Sequence, residues 1–224
     1  MSATTAALPA DLARDIAGAT AAHATVAAAI AGLDDATARQ PSRLVGWTVG
    51  HVLTHIARNA DSHTRILRAA QRGEVTDQYD GGVSARTAGI GAGASRSATE
   101  LIDDVVASAA TLERVRAETS PVGWAGHGIM PNSGEVAAND LPFRRWRESL
   151  VHLHDLGLAY SFADWPIGYV RLELGRMTSL WASRLPMGLT TLPPAAMAVD
   201  DRTRLAWLLG RADIDGLEPA TLMA

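Results

Sequence analysis

Apolar side chains recur at helical spacing in four long stretches, a pattern that predicts four long helices. Leu12, Ile16, Val26, Ile30 and Leu33 follow Pro9 and Asp11 and place a first helix over residues 10–33. Thr48 can cap a second that runs through His51, His55, Ala60 and Ile66 to Gln71. Residues 73–94 are rich in glycine with little apolar periodicity, and read as a long excursion, near a binding cleft or partly mobile. Ser97 and Glu100 form a capping-box pattern, and Leu101, Val105, Val106, Leu112 and Val115 carry a third helix to Glu118.

Residues 120–136 hold Pro121, Pro131 and several glycines, which predicts a turn or a short extended pair. Asn139 or Asp140 then caps a fourth helix with Pro142 in its first turn, running through Trp146, Leu150 and Leu153 to Leu158. Beyond Trp165 and Pro166 the pattern changes to a helical run over Tyr169–Arg184, a β-prone segment over Leu189–Leu192 and a helical run over Arg202–Arg211. The expected organisation is mainly α: a four-helix bundle over residues 1–165 and a small C-terminal α/β region over 166–224.

Composition narrows the function classes. The 224 residues are 47% hydrophobic, enough to bury a sizeable core, and carry a net charge of −4 with no basic stretch that would mark a nucleic-acid surface. Every basic side chain other than histidine is arginine, which suits planar, bidentate recognition of carboxylates. There is no cysteine, so disulfides, thiolate metal sites and a cysteine nucleophile are excluded within this sequence. Asp11, Arg14 and Asp15 break any signal-peptide pattern, and Ala17–Leu33 includes His23 and two threonines, so a cytoplasmic protein without a membrane span is expected. Oligomeric state is not legible.

Two i, i+4 pairs carry the chemistry. His51 and His55 share a face of the second helix, and Glu148 and His152 share a face of the fourth. In a bundle, inward-facing His and carboxylate groups from facing helices build metal sites, and three ligands leave a position open for water or substrate. Singly, each side chain has an ordinary use as a solvated or hydrogen-bonded helix residue. Val52 stands where a zinc peptidase needs a glutamate after its first histidine, so that chemistry is disfavoured. His55 could be a fourth ligand, a partner of a ligand or a proton carrier.

Gly46-Trp47 followed by His51, His55, Ala57, Asn59 and Ala60, and Arg147-Glu148 followed by His152, Asp155 and Leu156-Gly157, resemble the mycothiol-dependent maleylpyruvate isomerases of the DinB-like metal-binding bundle superfamily. The resemblance implies a divalent metal, zinc by donor type, held by His51, Glu148 and His152. It also implies a small-molecule thiol, mycothiol, as cosubstrate. That thiolate would add to the cis double bond of maleylpyruvate, rotation would follow, and elimination would give fumarylpyruvate. Gly210-Arg211 matches a C-terminal glycine-arginine of the family and makes Arg211 a candidate catalytic residue beside His55, with Arg145 and Arg147 as candidate holders of substrate carboxylates. The C-terminal region is shorter than the family pattern. A mycothiol S-transferase acting on another electrophile, or a non-catalytic metal-binding module, would show the same motifs. Neither nucleic acid nor membrane is an expected partner.

Overall fold

The computed structural model describes residues 7–131, 133–184, 190–220 and 222. It divides into two compact units, residues 1–159 and 160–224, against an expected boundary after residue 165.

Four long helices form the first unit: α1 (Ala10–Ile30), α3 (Val49–Gln71), α5 (Ala98–Glu118) and α7 (Leu141–Asp155). Around the bundle α1 packs on α7, α7 on α3, α3 on α5 and α5 back on α1. The starts of α3 and α5 are chemically determined. Thr48 accepts a hydrogen bond from the His51 amide while the His51 ring accepts one from the Thr48 amide, and Ser97 and Glu100 do the same one helix later. These reciprocal bonds satisfy amides that a helix start otherwise leaves without partners. Leu53, Ile56, Ile66 and Leu67 of α3 are fully buried, each contributing about 1.5–3 kcal/mol relative to exposure.

Shorter elements fill the connections. A one-turn helix α2 (Asp35–Ala38) precedes α3, and its Asp35 accepts a hydrogen bond from the first amide of α5 at 2.6 Å. Residues 73–94, expected from the sequence as a long excursion without helical periodicity, carry α4 (Gly82–Gly93) packed on α3. One of the glycines that weaken the helical signal, Gly93, is what the packing needs. A Cβ on Gly93 would lie 2.5 Å from Cγ2 of Thr54, so a larger residue would push α4 off α3.

The extended pair expected in 120–136 is present. After α6 (Pro121–Trp124), strands β1 (His127–Met130) and β2 (Gly134–Ala137) pair antiparallel, with His127 opposite Ala137 and Met130 opposite Gly134. A 3₁₀ turn over Ala138–Asp140 feeds directly into α7. Asp140 therefore occupies the cap position in helical conformation without a side-chain cap bond, contrary to the expected Asn139 or Asp140 cap. Pro142 in the first turn lacks the N–H such a cap would serve.

In the second unit α8 (Ile167–Ala182), α9 (Pro194–Ala198) and α10 (Asp201–Leu208) surround the buried aromatic rings of Trp165, Tyr169, Trp181 and Trp207. The β-prone segment forms no strand in its described residues 190–192, and Leu189 lies outside the described residues. Pro193 and Pro194 follow at once and have no N–H to continue a ladder. Among the described residues the short sheet is thus β1–β2, in the first unit. Among the described residues no helix is long and apolar enough to cross a membrane.

Candidate metal centre

From the second turn of α3 and the second half of α7, three side chains converge. Nε2 of His55 lies 3.2 Å from Oε2 of Glu148 and 3.0 Å from Nε2 of His152, and the Glu148–His152 pair closes the triangle at 3.4 Å. His55 is buried, whereas the side chain of Glu148 is 30% exposed and that of His152 is 14% exposed, so one edge of the triangle faces outward. The ring of Trp47 stands edge-on to His55 at 5.8 Å between centroids.

The helix registers explain which histidine arrives. His51 sits at the third position of α3, where its Nδ1 is 3.2 Å from the Thr48 amide and 2.8 Å from the Thr48 hydroxyl. Its ring is turned back to start the helix. His55, one turn further, faces α7. Among the described residues His55, Glu148 and His152 form the cluster able to hold an ion, and His51 is not part of it. The structure thus brings His55, rather than the His51 expected from the sequence, to Glu148 and His152.

The neighbours of the triangle set where its protons lie. Nδ1 of His152 is 2.9 Å from Oδ2 of Asp155, which is almost fully buried, and Nδ1 of His55 accepts from Nη2 of Arg86 at 3.2 Å. Were both imidazoles neutral, the His152 proton would sit on the Asp155 side, leaving one proton for three contacts. Burial opposes a charge on His152, but the hydrogen bonds and charges of Asp155 and Glu148 prevail and push its pKa up to about 9. Burial together with the charged His152 pushes His55 down to about 4. Burial alone would raise Glu148, yet its bonds to the two histidines hold its carboxyl well below the usual range.

A divalent ion fits this donor set. Tetrahedral zinc with nitrogen ligands at about 2.0–2.1 Å separates its ligands by about 3.3 Å, near the three spacings found. Asp155 would supply the carboxylate that orients a metal-bound imidazole and raises its basicity. Two imidazoles and one carboxylate leave a fourth position free, the arrangement of catalytic rather than structural sites.

Residues 19–157 match the family described as the mycothiol maleylpyruvate isomerase N-terminal domain. The chain belongs to that family. No curated protein matches the chain significantly in sequence. Among solved structures, the mycothiol-dependent maleylpyruvate isomerase superposes with a TM-score of 0.79 at 24% identity, covering 92% of this chain and 90% of that one. A mutant form of that enzyme gives 0.78 with the same coverage. YfiT from Bacillus subtilis, described as a probable metal-dependent hydrolase with an unusual four-helix bundle topology, gives 0.54 at 14% identity over 70% of this chain and 90% of that one. These likenesses establish the four-helix bundle fold.

The other side chains singled out from sequence fall in different places. Arg145 is 1% exposed; its Nε donates to Nε2 of His23, and its Nη1 to the Ile56 carbonyl and to Oδ1 of Asn59, each at 2.9 Å. Its guanidinium is engaged within the bundle core rather than at the triangle. Arg147 is half-buried with its guanidinium 5.8 Å from the centroid of the buried Phe143 ring. Arg211 lies in the second unit. Its amide reaches the Ala206 carbonyl at 2.7 Å while Gly210, at φ +70°, bonds back to Trp207, a Schellman stop to α10. Two residues with a place at the triangle are absent from the sequence candidates for the site. Asp155 has a visible signal as the i+3 neighbour of His152, whereas Arg86, on a helix that periodicity does not reveal, has none.

Proposed function

We propose that this chain catalyses a metal- and thiol-dependent isomerisation of the maleylpyruvate type, with His55, Glu148 and His152 holding the metal. The observation that carries this reading is the triangle of lone-pair donors at 3.0–3.4 Å with one exposed edge, in a chain of this family. Bound there, a divalent ion such as zinc would supply Lewis acidity, lowering a thiol pKa from its ordinary value of about 8.5.

The protein's own groups set the rest. Asp155 keeps the His152 proton on Nδ1 and so turns the Nε2 lone pair toward the site. Buried His55 and the Trp47 ring limit water on the inner side, while the exposed side of Glu148 leaves an approach for thiol and substrate. The 224 residues contain no cysteine, so the attacking sulfur comes from a small thiol, mycothiol by family. Addition of that thiolate to the cis double bond forms a C–S bond and places the electron pair on the neighbouring carbonyl. Rotation about the resulting single bond follows. Collapse of the electron pair then expels the same thiolate and restores the double bond as trans, with no net oxidation. Arg147 and Arg211 remain in the proposal as holders of substrate carboxylates.

The test is turnover of maleylpyruvate by purified protein with and without mycothiol, before and after chelation. Activity should require both thiol and metal. Equal turnover in thiol-free, chelated protein would overturn the reading.

A further inference from the structure

Arg86 occupies a position that the proposed metal reading does not use. It projects from α4 and lines a cleft of about 190 Å³ with Arg58, Arg65, Tyr79, Asp61 and Asp80. Two of the three arginines there are already matched with carboxylates. Arg58 pairs with Asp61 at 3.0 Å and also with Asp104, and Arg65 is 3.9 Å from Asp80 and donates to the Asp77 carbonyl. Arg86 differs. Its contacts among the described residues are Nδ1 of His55 at 3.2 Å and the Tyr79 ring, 5.8 Å from its guanidinium carbon, so no carboxylate neutralises it.

The contact with His55 cannot coexist with a metal on the same ring. A guanidinium only donates hydrogen bonds, so Nδ1 of His55 must be the bare nitrogen when Arg86 is bound to it. A metal ligand must instead present a bare Nε2, which is the atom pointing at Glu148 and His152. A neutral imidazole has one N–H, and coordination through Nε2 moves it to Nδ1, opposite the Arg86 donor. Two donors then face each other, and the guanidinium has to leave. The cleft it lines is where it can turn, and an arginine without a carboxylate partner is suited to bidentate capture of one.

We propose that Arg86 is a metal-coupled carboxylate-binding residue: it covers His55 in the metal-free protein and, once metal occupies the triangle, swings into the cleft to hold a carboxylate of a small dicarboxylate substrate. This rests on the metal site proposed above. It adds a specificity residue from α4 that neither the bundle motifs nor the C-terminal arginine supply, and it makes dicarboxylate binding depend on prior metal loading.

The experiment measures two affinities in wild type, Arg86→Gln and Arg86→Lys: zinc by competition with a chromophoric chelator, and maleate by calorimetry on metal-free and zinc-loaded protein. Arg86→Gln should bind zinc about tenfold more tightly, because its side-chain oxygen can accept from the Nδ1–H that Arg86 opposes. Zinc-loaded wild type should bind maleate at least about tenfold more tightly than zinc-loaded Arg86→Gln, with Arg86→Lys between them because it keeps the charge without the fork. The half-buried position of Arg86 makes these variants foldable, and thermal melting checks that they are folded. Unchanged zinc affinity in Arg86→Gln overturns the coupling, and unchanged maleate affinity overturns the carboxylate role. A wild type that binds no zinc overturns the metal site itself, an outcome distinct from the other two.

Discussion

Helices α3 and α7 carry two polar clusters that use the same residue types to opposite effect. At Arg145, donors meet acceptors throughout. The guanidinium bonds His23, the Ile56 carbonyl and Asn59, and His23 passes its remaining N–H to Glu113 at 2.7 Å. At His55, one turn along α3 from Asn59, acceptors face acceptors, and the three contacts share one proton when the rings are neutral. The first cluster is complete as the chain makes it and fixes how α1, α3, α5 and α7 meet. The second would be completed, on the reading proposed above, by a cation held among its three side chains. Residue type does not separate a structural from a reactive polar cluster here; the balance of donors and acceptors does.

The largest expected effect tests the incomplete cluster. His55→Ala or Glu148→Ala should reduce zinc affinity by more than the roughly 10–100-fold typical of losing a group behind a ligand. His51→Ala should keep about one equivalent of metal and lose mainly helix stability, by about 1 kcal/mol from the broken capping box. Metal analysis of the three variants decides between the histidines. Metal loss from His51→Ala equal to that from His55→Ala would restore the ligand set expected from the sequence.

Breaking the complete cluster should unfold rather than demetallate. Arg145→Met leaves Asn59 and His23 without their buried donor and should lower stability by about 3–5 kcal/mol, read by urea denaturation. Metal stoichiometry of the folded fraction should be unchanged. A cost below about 1 kcal/mol would mean that the network does not fasten the helices. A smaller effect lies between the clusters. Asp155→Asn should weaken zinc binding by about 10–100-fold with little change in stability, because an amide oxygen is a poorer partner for the His152 N–H than a carboxylate. Equal affinity in that variant would remove Asp155 from the site.

Much of this arrangement is legible in the order of the amino acids. Thr48 and the Ser97–Glu100 pair announce the starts of α3 and α5, and i, i+4 spacing puts Glu148 and His152 on one face of α7. What spacing leaves ambiguous is which of two histidines on one face does which job. Position three after a threonine cap gives His51 a local use, a signal available in the sequence but weaker than the attraction of a family pattern. α4 stays hidden for another reason. Its glycines lower helix propensity, but Gly93 is required by the close approach to Thr54, and tertiary packing overrides local preference. Arg145 reads as an accessible charge in sequence because a buried arginine is rare without partners, and its partners lie on other helices, 86 to 122 residues away.

The smallest expected effect concerns the pH dependence of the complete cluster. Burial, then the charges of Arg145 and Arg116 and the nearby His63, push the pKa of His23 from 6.5 down to about 2. The groups around it are Glu113 and Arg116 on α5, Arg145 on α7 and His63 on α3, so cations dominate and the ring stays neutral. A histidine with a depressed folded pKa contributes stability that is fully present above its unfolded value of 6.5 and is lost as pH falls from there toward 2. Within that window the unfolded chain holds a proton that the folded one refuses, and each pH unit removes about 1.4 kcal/mol. His23→Gln has no such proton to refuse. Its stability gap to wild type should therefore narrow by about 1.4 kcal/mol per unit as metal-free proteins are taken from about pH 6.5 to about pH 4.5 in urea titrations. Acid losses from other groups, His63 among them, are common to both proteins and largely cancel in the difference. Parallel pH curves for the two would show that His23 is charged in the folded state, and the Arg145 network would then have to be redrawn with Glu113 as a true ion-pair partner.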